Sequence, residues 1–491
     1  MMKILFASSE AVPFAKTGGL GDVAGSLPRV LAQMGHEVFL ILPKYRSIDE
    51  KRFPLTKTGI TLKVPVALRT ETAEVYSYES TPGFHSLFIR KDPYYDRDQL
   101  YGTSSGDFED NAERFTFFSR ALVEAALALG LNPDIIHCND WQTGLAPVYL
   151  KTLYRNSPSL QRTASVFTIH NIGYQGLFWH YDMQLTNLGW ELFTPQALEY
   201  YGKINFLKAG IVFADAVTTV SQKYMEEIQT PEFGAGLDGV LRDRKGDLYG
   251  ILNGVDYDLW SPFKDSLIKE RYGPENLKGK RACKADLQRE FGLAVSEETP
   301  LIGLISRLDE QKGFDLIADI MEELMEQGPQ CVLLGTGKEK FHLLLEDLQK
   351  KYPQQLGVKI AFDNILAHKI EAGADMFLMP SRYEPCGLNQ IYSLKYGTVP
   401  IVRATGGLDD TIEDFSPLSN AGNGFKFRDY AASCLMEAIK RALLAYRERA
   451  LWESLMIRGM SADFSWERSA GEYLKVYRET IAKKKAKTAA G

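Results

Sequence analysis

Short, nearly continuous apolar runs recur along the chain, each bounded by polar or turn residues. Lys3–Ala7 (KILFA) and Glu37–Pro43 (EVFLILP) are the first two. Runs of this kind suit parallel strands covered by helices on both faces. Between them, Ala24–Gly35 carries apolar residues at helical spacing and ends at a glycine, so the opening reads as a β–loop–α–β unit. Ile135–Cys138, Ser165–Ile169 and Ala216–Val220 are further strand-like runs separated by helical stretches. Such alternation predicts an α/β fold with a doubly wound sheet.

The pattern then restarts. Leu301–Ser306 (LIGLIS) leads into a loop, Arg307–Gly313 (RLDEQKG), and a helical run over Phe314–Gln327. Cys331–Leu334 is the next strand, followed by Gly335, Thr336 and Gly337; Met376–Pro380 and Val399–Val402 complete the set. In both halves the first strand leads into a loop with a Lys close to a Gly, ahead of a helix: Lys16 with Gly18–Gly19, then Lys312–Gly313. Nothing repeats at short period; the expectation is two sheets of similar design. Their boundary is expected after Gly250–Trp260, where the polar segment Ser261–Lys284 has no clear period. The map is therefore 1–252 and 253–465, with a last helix over about 466–482.

A length of 491 residues fits two or three domains at ~100–200 residues each, and 45% hydrophobic residues suffice for more than one core. The charges, 57 basic against 63 acidic for a net of −6, argue against a nucleic-acid binder. Five cysteines without a CxxC pair argue against a disulfide framework or zinc ribbon and for a reducing, intracellular setting. No run approaches the ~18 apolar residues of a membrane span: the most apolar helical stretch, Ala121–Leu131, is interrupted by Glu124. The opening MMKILFASSE reads as a first strand rather than a signal peptide, and the tail Lys483–Lys487 as a solvated, frayed terminus. The expected location is the cytoplasm.

Candidate chemistry clusters just past the predicted strand ends, where ligands gather in open α/β sheets. In Lys16-Thr-Gly-Gly-Leu-Gly-Asp22, Gly18, Gly19 and Gly21 let backbone amides approach an anion at a helix N-terminus, and Lys16 adds a mobile charge. Spacing alone favours phosphate binding and a plain turn about equally. The loop is neither a dinucleotide fingerprint nor a Walker A sequence. Arg307 and Lys312 could neutralise one diphosphate. In Ser381-Arg-Tyr-Glu-Pro-Cys-Gly-Leu388, Glu384 could accept hydrogen bonds from sugar hydroxyls, and Thr405-Gly406-Gly407 could form a small anion nest. His170 and the pair Asp140-Trp141 also trail strands, the Trp as a sugar platform. Asp96-Arg-Asp98 and Asp256-Tyr-Asp258 read as turn chemistry rather than metal sites.

Together these segments resemble one family. KTGGLGDV (Lys16–Val23), HCNDWQTGLAP (His137–Pro147), TIHNIGYQG (Thr168–Gly176), GILNGVD (Gly250–Asp256), SRLDEQKG (Ser306–Gly313), SRYEPCGLNQ (Ser381–Gln390) and TGGL (Thr405–Leu408) match bacterial glycogen synthases of the type shared with plastid starch synthases. The resemblance runs to Phe464-Ser-Trp466. It implies a GT-B fold, with two Rossmann-like domains, the active site in a deep cleft between them and the last helix back on the first. The implied reaction moves glucose from ADP-glucose to the non-reducing end of an α-1,4-glucan, glycogen or a malto-oligosaccharide, with retention. No metal or other cofactor is implied.

Carried over by position, Glu384, Lys312, Arg307 and His170 are the implied catalytic group, with the His170 carbonyl facing the oxocarbenium-like centre. Lys16, Gly18, Gly19, Asn253, Gly335, Phe362, Cys386, Gly387, Leu388, Thr405, Gly406 and Gly407 would bind the donor. Tyr95, Asp140, Trp141 and Asn171 would bind glucose and acceptor. Phe362 stands where the family often has a Tyr near the adenine, so the ring can still stack but brings no hydroxyl. The sequence offers no obvious second carboxylate on the His170 side. That favours front-face departure, in which the leaving phosphate helps deprotonate the incoming hydroxyl. Another GT-B activity on a UDP-sugar, a glucan-binding protein without catalysis and, weakest, a nicotinamide oxidoreductase are the alternatives.

Overall fold

The computed structural model describes residues 1–103 and 106–490. The chain divides into two units. The first comprises Met1–Val220, Met225–Gly254 and the chain from Trp466 onward; the second comprises Val255–Ser465 together with Ser221–Tyr224. Leu252-Asn253-Gly254 therefore stays with the first unit.

Among the described residues, the first unit is built on a nine-stranded sheet. Its order is Leu248–Gly250, Ala216–Thr219, Ala164–Ile169, Ile135–Asn139, Lys3–Ala7, Glu37–Pro43, Phe84–Arg90, Arg69–Thr81, Thr56–Val66. The strands from Leu248–Gly250 to Phe84–Arg90 are parallel, and the last two pair antiparallel as an added hairpin. The predicted runs are strands because they are buried on both faces: Ile135–Asn139 and Ala164–Ile169 are buried at every position. The hairpin instead alternates buried and exposed positions, as a half-covered sheet does. From Lys3–Ala7 the chain winds outward through Glu37–Pro43, then returns to place Ile135–Asn139 on the other side. The topological switch point lies between Lys3–Ala7 and Ile135–Asn139.

The second unit repeats the plan with six parallel strands, Leu356–Ile360, Gln330–Gly337, Leu301–Leu308, Met376–Met379, Val399–Arg403 and Phe425–Phe427. Here the winding reverses between Leu301–Leu308 and Met376–Met379. The helix Phe314–Glu326 follows the first of these and buries Phe314, Ile317, Ile320, Met321 and Leu324 at helical spacing against the sheet. Both sheets are thus doubly wound, as the resemblance implies.

Several boundaries differ from expectation. Leu301–Leu308 and Gln330–Gly337 run further, so Arg307 and Gly335 lie within strands rather than in loops. The first helix starts at Gly19, inside the glycine loop. The last helix runs from Trp466 to Ala490, so the tail does not fray at Lys483. It is anchored in the first unit by Tyr477, whose hydroxyl lies 2.6 Å from His137 Nδ1, and by Ser469 Oγ, which donates to the Leu252 carbonyl. No described helix is long and apolar enough to cross a membrane.

Candidate active site

The second unit gathers its chemistry at its switch point. Arg307 is the penultimate residue of the strand Leu301–Leu308 and is exposed. Lys312 follows in a tight turn over Glu310–Lys312, which is capped by Asp309 Oδ1 accepting the Gln311 N–H at 3.1 Å. Gly313 has φ +76°, and a Cβ there would overlap the Pro380 carbonyl, so the turn closes directly on the end of Met376–Met379. From that side Glu384 meets Lys312: Nζ donates to Oε2 at 2.5 Å, and Ser381 Oγ donates to the same oxygen at 3.0 Å. Both side chains are largely buried. Ser306, Arg307, Lys312, Glu384, Leu388 and Asn389 line one cavity of about 180 Å³.

The Glu384 loop is held by its backbone. Arg382 N–H donates to the Gln311 carbonyl, Ser221 Oγ to Pro385 and Gln390 Nε2 to Cys386 and Gly387. Beneath it, Gly407 N–H donates to the Glu384 carbonyl at 3.1 Å. A Cβ on Gly406 would overlap that carbonyl, and one on Gly407 the carbonyl of Cys386. Close approach to the Glu384 loop is thus what these two glycines permit. Gly335, expected to bind the donor, is buried with no room for a Cβ against Ser306. Phe362 directly follows Ala361, whose N–H donates to the Gly335 carbonyl; it is 86% exposed and offers an open aromatic face. Thr405 and Cys386 are buried, and Gly387 takes φ +67°.

The first unit gathers its residues at its own switch point. Lys16 Nζ pairs with Asp22 Oδ1 at 2.7 Å. A Cβ on Gly18 or Gly19 would meet nothing within 4 Å, so both glycines border open space. At the end of the neighbouring strand Asp140 is held at φ +53°, a strained value for a residue with a side chain. Its Oδ1 accepts the His170 N–H at 2.8 Å and the carboxylate also takes the Asn171 N–H. Burial pushes Asp140 up to about 7, against the pull of these N–H groups. His170 is buried with Nε2 2.9 Å from Asn139 Oδ1, and burial pushes it down to about 3, so its ring is neutral. Trp141 packs edge-on against Phe115 and Phe178 over Gly176, where a side chain would strike the indole. Asn171 is half-buried and turns its Oδ1 to the Gly173 N–H. Asn253 Oδ1 is buried without a hydrogen-bond partner.

Two expectations need correction. Tyr95 is fully buried and its hydroxyl donates to the Arg114 carbonyl at 3.0 Å, so it is a core residue with no face for an acceptor. The His170 side does carry a carboxylate, Asp140. Sequence reasoning also missed Glu10, buried at the switch point, whose carboxylate accepts from Thr17 and Gly18. The signal was present as an acid just past a strand end.

In the two D-x-D triplets, Arg46 bridges Asp96 and Asp98, and Asp256 Oδ1 accepts the Asp258 N–H. All five cysteines are free.

Residues 3–243 match the family described as starch synthase catalytic domain, and residues 288–454 match glycosyl transferases group 1. The chain is 50% identical over 477 residues to a glycogen synthase of Koribacter versatilis, covering 97% of this chain and 98% of that protein. It is 45% identical to a glycogen synthase of Thermotoga maritima, covering 98% and 99%. The catalytic domain of starch synthase IV from Arabidopsis thaliana, solved bound to ADP and acarbose, matches with a TM-score of 0.90 at 32% identity, over 98% of this chain and 99% of that one. Sucrose-phosphate synthase from Thermosynechococcus elongatus, at TM-score 0.61 and 18% identity over 98% and 100%, shares the fold.

Proposed function

The chain belongs to the glycogen and starch synthase family, and on that premise we propose how its residues divide the work. It is a glucosyltransferase that extends α-1,4-glucan chains with glucose from ADP-glucose. Its acceptor is glycogen or a malto-oligosaccharide, and it works in the cytoplasm, a reading that the five free cysteines support.

The observation that carries the assignment is the Lys312–Glu384 contact beside Arg307 in one cavity. Lys312 has a carboxylate as its anion here. A diphosphate entering the cavity offers the ammonium a second, more highly charged partner. Lys312 and Arg307 then offset the charge that builds on ADP as it leaves, and Glu384 is released to accept from glucose hydroxyls. Phe362 stacks on adenine, and Cys386, Gly387 and Leu388 surround the sugar. Thr405, Gly406 and Gly407 contact the phosphates as well as supporting the Glu384 loop. Lys16, Gly18 and Gly19 bind phosphate oxygens of the donor, and the reaction needs no metal ion.

Asp140, Trp141, Asn171 and Asn253 recognise glucose and acceptor, and the neutral His170 leaves its carbonyl as the charge facing the anomeric carbon. Asp140 is unsuited to be a nucleophile, because its oxygens are engaged by backbone N–H groups and burial favours its protonated form. That supports front-face departure, with the leaving phosphate taking the acceptor's proton. The assignment is tested by incorporation of labelled glucose from ADP-glucose and from UDP-glucose into glycogen, with Lys312→Ala as control. A covalent glucosyl-enzyme trapped on Glu384→Ala would overturn the front-face route.

A further inference from the structure

Glu10 has no part in the division of work above, yet it is the most buried carboxylate near the Lys16 loop, 4% exposed. It lies just past the Lys3–Ala7 strand, in a segment pinned by two bonds. Ser8 N–H donates to the Ile41 carbonyl at 3.1 Å, and Ser8 Oγ to the carbonyl of Glu10 itself at 2.6 Å. The carboxylate is therefore aimed by the sheet.

Its two oxygens face donors. They accept the N–H and hydroxyl of Thr17 and, at 3.3 Å, the N–H of Gly18; the Tyr101 hydroxyl adds a further bond. Among the described residues no Lys or Arg pairs with it: the nearest loop cation, Lys16, is turned to Asp22. The titratable groups it interacts with are Tyr45, Tyr101 and Asp140. A buried carboxylate without a cation is costly, and burial raises its pKa while the Thr17 and Gly18 donors lower it. A glutamine of the same shape would avoid burying a charge but would turn an amide nitrogen towards one of these donors. Only a carboxylate offers both oxygens as acceptors.

The bonds also set where the loop's remaining donors go. Gly18 is extended, at φ −152° and ψ −167°, and caps the Gly19–Gln33 helix without a side-chain bond. With Thr17 and Gly18 N–H drawn inward and the Gly21 N–H donating to the Gly18 carbonyl, the Gly19 and Leu20 amides are left for a ligand. The matching arrangement stands one strand away. Asp140, past Ile135–Asn139, takes the His170 and Asn171 N–H groups in the same manner. Adjacent parallel strands thus each end in a buried carboxylate that holds the backbone of a neighbouring loop.

We propose that Glu10 is the positioning residue of the donor-phosphate loop: by holding the Thr17 and Gly18 N–H groups it presents Lys16 and the first helical amides to the diphosphate of the sugar nucleotide. This rests on the reading of Lys16 as a donor-binding residue.

The test compares Glu10→Gln, Glu10→Ala, Glu10→Asp and Lys16→Ala in the full-length protein, with KM for ADP-glucose, KM for glycogen, kcat and melting temperature read for each. Glu10→Gln and Glu10→Ala are expected to raise KM for ADP-glucose at least ~10-fold, with KM for glycogen within about twofold and the Gln variant's melting temperature unchanged. Glu10→Asp, which keeps the charge on a shorter arm, should recover part of the loss. If Lys16→Ala raises KM for ADP-glucose and Glu10→Gln does not, the proposal is wrong and the loop assignment stands. If Lys16→Ala leaves that KM unchanged, the assignment itself falls. Equal rises in both KM values with a lower melting temperature, or failure of Glu10→Gln to fold, would make Glu10 a purely structural residue and overturn the proposal.

Discussion

Lys312 Nζ and Glu384 Oε2 lie 2.5 Å apart across the point where the second sheet reverses its winding, each on a loop from a different strand. Removing either partner leaves the other largely buried and without its opposite charge. Lys312→Ala and Glu384→Ala should each lower kcat by about 10²–10³-fold. Because they act on one another, the double variant should lose much less than the product of the two. Steady-state kinetics on the three proteins checks this, and multiplicative losses would mean the contact is incidental.

The glycines of the two units answer to different demands. A methyl at Gly407 would strike the Cys386 carbonyl, whereas one at Gly19 meets nothing within 4 Å. Gly407→Ala should therefore destabilise the protein by about 2 kcal/mol or more. Gly19→Ala should keep the melting temperature and raise KM for ADP-glucose, since the methyl enters only the space a phosphate needs. Thermal denaturation alongside donor saturation curves separates the two.

Phe362 is a large apolar side chain left in solvent, so its removal costs the fold little. If adenine stacks on it, Phe362→Ala should raise KM for ADP-glucose by about 10-fold, the scale of one base–aromatic stack. The melting temperature should hold, and a raised KM for glycogen instead would place the ring on the acceptor.

The Asp140 carboxyl is raised to about 7 in the folded protein from an ordinary 3.8. Between those values the folded state keeps a proton that the unfolded chain has given up. The group's contribution to stability is therefore full in acid and is lost as pH rises to about 7, on the order of a few kcal/mol in total. Asp140→Asn is neutral throughout, so its melting temperature relative to the wild type should rise from pH 5 to pH 8. Melting curves across that range check the sign, and a constant difference would show that Asp140 is ionised throughout.

The strands were legible because both their faces are covered: KILFA at Lys3–Ala7 and EVFLILP at Glu37–Pro43 begin and end where their apolar runs do. The Thr56–Val66 and Arg69–Thr81 hairpin was not legible, since one face is solvated and Thr, Lys and Glu fill its outward positions. Helix starts were less legible than strand ends. Gly19 opens a helix despite glycine's low propensity, because the loop before it is fixed by Glu10. Lys312 and Glu384 stand out by their place past strand ends, though their direct contact spans 72 positions in the chain and leaves no local trace. Tyr95 shows the converse. The resemblance implied a ligand face for it, but burial against Arg114, Tyr45 and Phe117 is decided by side chains far from it in sequence.

The most direct test of the account is transfer of labelled glucose from ADP-glucose to glycogen by the purified protein, after exhaustive dialysis against EDTA. Ready incorporation that is abolished in Lys312→Ala, with product degradable as α-1,4-linked glucan, is the expected result. No incorporation by the wild type, or undiminished incorporation by Lys312→Ala, would contradict it.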